Sequence, residues 1–370
     1  MRKHILIIKH GSLGDVVRTS YFAGALRDRH GEHLRLSWMT SSSALPLLHL
    51  NPHIDDIWTD FSATQDLCFD HLYSFDDEQD LIERVSRISC KAITGAVLTP
   101  DGQRTYTEDA SEWFDMGLLS RFGKEKADEL KKINKRTHAE IFSRILGIKK
   151  PTPEFYGIRS LEQKAASLLQ CSGKVVGINP YAGERWPSKE LLPEELYSLA
   201  KKLLSHHSLI GPDGRLVLLG AGNGHFRNQQ LATILNDTRV VVPDTNDSVL
   251  HFAAVIHQLD YLITSDSLAL HLGIGQHIPF LAFFTATSAV EIDGFGLGCK
   301  IISTAEDYCS YRNDADNQSI TAERIISAMK KHQSRLFYFS DSKLLADHSR
   351  KLEVPQHMMA HVSMNRAAER

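Results

Sequence analysis

Cysteine is scarce in this chain, and what there is lies scattered: Cys68, Cys90, Cys171, Cys299 and Cys309, five in 370 residues. With no C-x-x-C pair and an odd total, neither a disulfide framework nor a cysteine zinc site is expected, and a reducing compartment fits best. Cys309, without a nearby partner cysteine, reads as a small buried hydrophobe. Long apolar runs are also missing. After Met1-Arg2-Lys3-His4 only Ile5-Leu6-Ile7-Ile8 precede Lys9, whereas a secretory signal needs about 7–15 apolar residues and a spanning helix about 18. The expected location is therefore the cytoplasm. Nor is there a surplus of one charge: 42 Lys+Arg face 45 Asp+Glu, a net of -3, so nucleic acid is not an expected partner. Histidine is plentiful at 19, but no H-E-x-x-H occurs, and the pairs His251/His257 and His271/His277 are spaced so that they do not stack on one helical face. No metal and no cofactor is expected.

What the chain does have is alternation. At 370 residues it exceeds what one core usually serves. A short apolar strand, His4–Lys9, runs into the turn Gly11-Ser12-Leu13-Gly14-Asp15, and helical spacing follows from Val16 to Arg29. A second strand is expected over Leu34–Met39, a helix over Ser41–Leu50 and a strand over His71–Phe75. Charge at helical spacing fills Trp113 to Lys150, and Pro151-Thr152-Pro153 marks a linker. A second series then starts: strands at Lys174–Asn179, Leu216–Leu219, Val240–Val242, Tyr261–Thr264 and Pro279–Phe284, with a helix over Pro193–His206. Such alternation predicts an α/β fold of two doubly wound, Rossmann-like domains with ligands in the cleft between them. The expected division is an N-terminal domain over 1–170, a C-terminal domain over 171–330 and a helical tail over 331–370. The tail lacks a sustained apolar face beside its basic residues, so a peripheral contact with the inner membrane stays open.

Three strand-to-helix junctions carry chemistry-bearing residues. At the first, Gly14 permits close backbone approach, and Asp15 either caps the helix or serves as a general base. At the second, Asn179-Pro180-Tyr181-Ala182-Gly183-Glu184-Arg185-Trp186-Pro187-Ser188-Lys189, two cations stand near a helix start. They oppose the helix dipole there, and a bound phosphate would compensate; a solvated loop is the plainer alternative. At the third, Thr264-Ser265-Asp266-Ser267-Leu268-Ala269-Leu270-His271, Ser265 or Asp266 is expected to cap an apolar helix whose free amides suit an anion. His271, taken alone, reads as a core residue. Gly220-Ala221-Gly222-Asn223-Gly224-His225 has His225 where a dinucleotide fingerprint needs its third glycine, so a dehydrogenase is not expected.

Together and in this order the motifs resemble glycosyltransferase family 9, the ADP-heptose:lipopolysaccharide heptosyltransferases. The resemblance rests on Ile5–Asp15 with its S-L-G-D, on Leu-Asn-Pro-His-Ile-Asp within Leu47–Ile57, on Asn179–Lys189, on Ser265–His271, and on Phe283-Phe284-Thr285-Ala286-Thr287-Ser288. It spans about residues 1–330 and implies a GT-B fold with a metal-independent, inverting transfer. It implies Asp15 as the catalytic base and Lys189 as the cation on the donor diphosphate. It also implies Gly14, Arg185, Asp266, Ser267, Leu268 and His271 as donor-binding. The implied partners are a nucleotide-sugar donor, with an ADP-sugar favoured, and a saccharide or glycolipid acceptor of the cell envelope. Leu268 stands where the family commonly has Gly, and Ala286 where it has Pro. The acidic run Asp66, Asp70, Asp76, Asp77, Glu78 and Asp80 argues for an acceptor without phosphates. A nucleotide-sugar epimerase of similar shape and an inactive binding subunit remain alternatives.

Overall fold

A computed structural model describes residues 2–183 and 186–340, with side chains through 335. Chain contacts divide the molecule into Met1–Met329 and Lys330–Arg370. In the first unit β1 (Lys3–Ile8), α1 (Leu13–Ser20), α2 (Phe22–His30), β2 (Leu34–Met39), α3 (Leu45–Leu48) and β3 (Asp56–Trp58) come first. Next are β4 (Cys68–Phe69), β5 (His71–Ser74), α4 (Gln79–Val85), β6 (Ser89–Cys90), β7 (Ile93–Leu98) and β8 (Arg104–Tyr106). Helices α5 (Ser111–Phe114), α6 (Gly123–Ile133), α7 (His138–Ile145) and α8 (Arg159–Leu169) lead to a second series. That series is β9 (Val175–Asn179), α9 (Pro193–Ser205), β10 (Arg215–Leu218), α10 (Asn223–Leu235), β11 (Val240–Val241) and α11 (Val249–Ile256), then β12 (Tyr261–Ser265), α12 (Leu268–Gly275), β13 (Phe280–Phe284) and β14 (Gly298–Ile302). Helix α13 (Ala322–Ser340) closes the described chain.

Two six-stranded sheets result, β3-β2-β1-β5-β7-β8 and β11-β10-β9-β12-β13-β14, beside a small β4-β6 pair. Counted within each sheet, both follow one doubly wound order, with the first strand flanked by the second and the fourth. Pairing is parallel except at β7–β8. Strands buried on both faces need continuous apolar runs, which explains Ile5–Ile8 and Phe280–Phe284, all nearly inaccessible. Each such side chain contributes about 1.5–3 kcal/mol relative to exposure. Gly95, at φ 116, lies where a Cβ would come within 2.0 Å of the Ser74 carbonyl, so no larger residue fits between β5 and β7.

The structure revises several expected elements. The helix expected over Val16–Arg29 is two, interrupted at Tyr21, and the one expected over Ser41–Leu50 is the single turn α3. The charged stretch from Trp113 to Lys150 is three helices, the last opened by a capping box between Thr137 and Glu140. Strands β7, β8 and β14 lie where no strand was expected. The terminal helix starts at Ala322 rather than at Lys331, and most of the expected tail lies outside the described residues. Among the described residues no helix is long and apolar enough to cross a membrane.

The two sheets share a core. Val17 and Tyr21, at the end of α1, pack in one cluster with Ala165 of α8, Ala253 of α11, and Leu270 and Leu272 of α12. The Tyr21 hydroxyl donates to the His271 carbonyl at 2.5 Å, and the Phe155 amide to the Gly275 carbonyl at 2.8 Å. The loops that follow α6 and β13 are joined as well, by the His138 amide donating to the Glu291 carbonyl at 2.8 Å.

Candidate active site

The first junction packs directly against the third. Helix α1 begins at Leu13 with Ser12 as its N-cap and no capping side chain. Asp15 therefore does not cap: its carboxylate accepts from the Ser12 hydroxyl at 3.2 Å and pairs with Arg18 at 2.6 Å, one helical turn on. Burial disfavours ionisation of Asp15, yet Arg18 and, behind it, Lys9 hold its carboxyl well below the usual carboxylate range. Lys9 is itself anchored to Asp76 at 2.5 Å, and the other oxygen of Asp76 accepts the His10 amide at 2.6 Å. The turn is thus cross-braced from β5, and the half-buried Asp15 is presented ionised.

Across the cleft, β12 ends at Ser265 and α12 begins at Leu268. The N-cap is Ser267, not Ser265 or Asp266, and its side chain makes no capping bond. The Asn179 amide group at the end of β9 donates instead to the Ser267 hydroxyl at 2.9 Å. The first amides of α12 consequently have no side-chain cap and form the positive end of its dipole. Asp266 accepts from Lys189 at 2.8 Å and from the Thr287 hydroxyl at 2.7 Å. Burial raises its pKa, but Lys189 and then His271 outweigh that and hold it far below the ordinary range. Lys189 sits in the 3-10 turn Pro187–Lys189, ahead of α9. Its charge is met here by Asp266 (side chains 12% and 13% exposed), a protein partner that neither a bound phosphate nor a solvated loop had called for.

His271 lies between these two ion pairs. A Cβ on Gly14 would stand 2.8 Å from His271 Cδ2 and 3.6 Å from the Leu268 Cα, so the missing side chain at Gly14 is what lets α1 meet α12. Burial first, and then Arg18, pull the His271 imidazole down to about 4, leaving it neutral at pH 7. His138, from α7, is likewise pushed down by burial and Arg18.

Of the residues singled out from sequence, Gly14, Asp15, Lys189, Asp266, Ser267, Leu268 and His271 converge, while Arg185 lies outside the described residues. Sequence reasoning passed over Arg18, although its spacing from Asp15 is that of a helical ion pair. It also passed over Thr287 as the second contact of Asp266. His138 opens α7 and Glu291 lies in the loop after β13, and neither carries a local signal. Burial raises the pKa of Glu291, whose carboxyl accepts from the Tyr311 hydroxyl at 2.8 Å. The acidic run is less open than its sequence suggests: Asp70 is tied to Lys91 and to the His4 amide, and Asp76 to Lys9.

Beyond the loop after β10, Gly222, at φ 53, is the N-cap of α10, and its amide is held by the Asn246 side chain at 2.6 Å. Close by, one buried polar atom each of His225, Asn228, Thr245 and His251 has no hydrogen-bond partner among the described residues. Cys309 is buried and unpaired, with its thiol pushed up to about 11 chiefly by burial, in keeping with a structural role.

No family model matches the chain. A curated "Putative glycosyltransferase" of Haemophilus influenzae is 22% identical over 289 residues, 76% of this chain and 82% of that protein. A glycosyl transferase family 9 structure from Veillonella parvula superposes with a TM-score of 0.68 at 16% identity, covering 90% of this chain and 98% of that one. The E. coli ADP-heptose lps heptosyltransferase II gives 0.60 at 14% identity, covering 91% and 100%. An E. coli heptosyltransferase solved with ADP gives 0.59 at 15%, covering 89% and 99%. The fold is that of these heptosyltransferases, and the chain resembles glycosyltransferase family 9 in its ordered motifs and in its architecture.

Proposed function

We propose that this chain is an inverting, metal-independent glycosyltransferase. It moves a sugar from a nucleotide-sugar donor, with ADP-heptose the first choice, to a saccharide acceptor of the cell envelope. One observation carries the reading: an ionised carboxylate on the first helix and an uncapped helix N-terminus with an adjacent lysine on the other sheet meet across a single histidine. That is the polarity the reaction needs. A base must take the acceptor's proton on one side, and a diphosphate must leave with charge on the other.

In this reading the sheet of residues 3–106 faces the acceptor and the sheet of residues 175–302 binds the donor. The diphosphate lies at the first amides of α12, where Lys189 turns from Asp266 toward it and takes the place of a divalent ion. Asp15 accepts the proton of the attacking hydroxyl while the anomeric bond breaks in line. Because Arg18 holds Asp15 at low pKa, the free carboxylate is a weak base. The acceptor must draw Arg18 partly away, which reserves basicity for the loaded site. Neutral His271 separates the two carboxylates without adding charge. The unpartnered atoms of His225 and Asn228 on α10, of Thr245 and of His251 on α11 supply hydrogen-bonding capacity for the base and ribose, beside a helix start that lacks an acidic residue at Gly222 and Asn223.

Calorimetric titration with ADP, UDP and GDP, each with and without magnesium, tests the donor side. Preference for ADP, unchanged by magnesium, is the expected result. Preference for UDP or GDP keeps the class and changes the donor, whereas no binding by folded protein sinks the donor site. Conversion of the donor with no acceptor present would move the assignment to an epimerase.

A further inference from the structure

Two carboxyls draw on one guanidinium. Arg18, in α1, pairs with Asp15 at 2.6 Å, yet its Nε is buried with no hydrogen-bond partner among the described residues. The guanidinium lies over the Trp113 ring, 5.6 Å from its centroid. Trp113 meets the His138 ring edge-on at 5.2 Å, and the His138 amide donates to the Glu291 carbonyl at 2.8 Å. This chain of contacts sets the loop after β13 beside Arg18.

Glu291 is buried, and its carboxyl accepts from the Tyr311 hydroxyl at 2.8 Å. Arg18 and then Lys131 are the cations that act on it, against Asp266, and neither is in hydrogen-bond contact with it. Lys131 stands instead over the Tyr311 ring, 3.3 Å from its centroid. Tyr311 holds φ 55, a region that residues other than glycine mostly avoid. Its amide donates to the Ala286 carbonyl at 2.8 Å, which fixes that backbone and keeps the hydroxyl on Glu291. The two carboxyls are served unequally. Arg18 and Lys9 hold Asp15 below the ordinary range, whereas at Glu291 burial outweighs Arg18, Lys131 and the Tyr311 hydroxyl and pushes the carboxyl up. One guanidinium over-compensates the first and under-compensates the second.

We propose that Glu291 is a positioning residue, the second seat of Arg18, taken when Asp15 has accepted the acceptor's proton. In the resting site the guanidinium stays with Asp15. When the acceptor's O–H bond breaks, its proton goes to Asp15 and its oxygen to the anomeric carbon. Asp15 is then a neutral acid that no longer holds Arg18, and the free Nε–H turns to the Glu291 carboxylate. A cation that leaves as the proton arrives makes Asp15 a stronger base than its resting state allows. After the product departs, Asp15 gives its proton to water and Arg18 returns. The inference rests on the proposed transfer, with Asp15 as its base.

The test is a pH titration of the full chain carrying 13C at its glutamate carboxyls, with the Glu291 signal identified by its loss in Glu291→Gln. Asp15→Asn stands for the protonated carboxyl at the same shape. In that variant the Glu291 midpoint should fall by at least about one unit, the scale of an opposite charge brought close. In Arg18→Gln it should rise above the wild-type value. In Asp15→Asn/Arg18→Gln the fall should vanish, which separates movement of Arg18 from simple loss of the Asp15 charge. Should Arg18→Gln not fold, the Arg18 15Nε signal of Asp15→Asn decides, since it should shift when Glu291→Gln is added. With ADP-heptose as donor, Glu291→Gln should lower kcat several-fold, up to about tenfold for one unit of basicity, and leave ADP affinity unchanged. An unmoved Glu291 midpoint in Asp15→Asn overturns the proposal, and so does a fall that survives the loss of Arg18, or full kcat in Glu291→Gln. The titration needs no acceptor. If ADP binds and the midpoint does not move, only the role of Glu291 falls; if the midpoint moves but ADP does not bind, the transfer reading falls and the shared guanidinium stands.

Discussion

The two sheets share one strand order but use their first crossover differently. In the first sheet the chain leaves β1 at Ile8 and is helical again at Leu13. The tight turn brings Asp15 to the cleft with its charge bound to its own helix through Arg18. In the second sheet the chain leaves β9 at Asn179 and reaches α9 only at Pro193. The longer loop swings Lys189 sideways to the next junction, where it meets Asp266. One half thus presents a negative group through a local contact, and the other a positive group through a contact 77 residues distant in sequence. From one architecture the loop length decides whether the charge at the cleft is paired within its own helix or with a distant junction, and in the proposed mechanism that asymmetry separates proton acceptance from leaving-group stabilisation.

The sharpest way to break the comparison is at Asp15. Asp15→Asn keeps the shape of the turn and removes its charge. Turnover should fall by about 10³–10⁴-fold, within the range for loss of a general base, while ADP affinity stays unchanged, since the donor belongs to the other sheet. Steady-state kinetics beside calorimetry checks both halves of the statement. An Asn variant with full activity would return Asp15 to a purely structural role.

Removing Lys189 should damage both functions of its half. Lys189→Met leaves Asp266 largely buried with only Thr287 as a partner, and breaking such a pair typically costs about 3–5 kcal/mol. Denaturant unfolding should show that loss, and ADP affinity should fall with it. Adding Asp266→Asn should recover stability but not affinity. If the double variant binds ADP normally, the lysine serves only to neutralise Asp266.

How much of this was legible in the residues alone depends on how local each contact is. The turn at Gly11–Asp15, the strands Val175–Asn179 and Tyr261–Ser265, and the apolar helix after Ser267 announce themselves by short-range pattern, and their places in the sheets follow. Tyr21 as a helix break has no proline or glycine to mark it; its hydroxyl is claimed by the His271 carbonyl 250 residues away. The pairing of Lys189 with Asp266, the position of Lys131 against Tyr311 and the tie between His138 and Glu291 are likewise tertiary facts. Arg18 is the exception: it stood one helical turn from Asp15 and was readable as its partner. Strands β7 (ITGAVL) and β14 (GCKII) were missed because Thr94 and Gly95 in the one and Gly298 and Lys300 in the other break the apolar run.

Acid should separate the halves by a different route. The folded pKa of His271 is about 4, below its unfolded value of about 6.5, so the unfolded chain binds the extra proton in that window. Stability should therefore decline as pH falls from about 6.5 toward 4, by up to about 3 kcal/mol at 1.36 kcal/mol per pKa unit. His138 is lowered as well, so His271→Gln should flatten the slope by one histidine's share rather than abolish it. The depressed carboxyls Asp15 and Asp266 act lower still. Their contribution is complete above the unfolded carboxylate value of about 4 and is lost only as pH drops toward their folded values. Urea midpoints measured from pH 7 to pH 4 check the histidine window; an unchanged slope in the Gln variant would mean that His271 is not held neutral by its surroundings.

The smallest change tests the contact through which the two halves meet. Gly14 is helical, so a methyl there costs no backbone strain, and alanine is by itself the better helix former by up to about 1 kcal/mol. The added Cβ, however, would stand 2.8 Å from the His271 ring, which is 5% exposed. The ring must shift, and overpacking of this kind typically costs about 1–3 kcal/mol. The two effects oppose, leaving Gly14→Ala a net loss of about 1–2 kcal/mol. A mere packing change would stop there. If Asp15 and the start of α12 act as one site, the same variant should also lower turnover more than it lowers ADP affinity, because it spreads the base from the donor without touching either. Equal loss in both, or none in turnover, would mean that the close approach of α1 to α12 only holds the fold together.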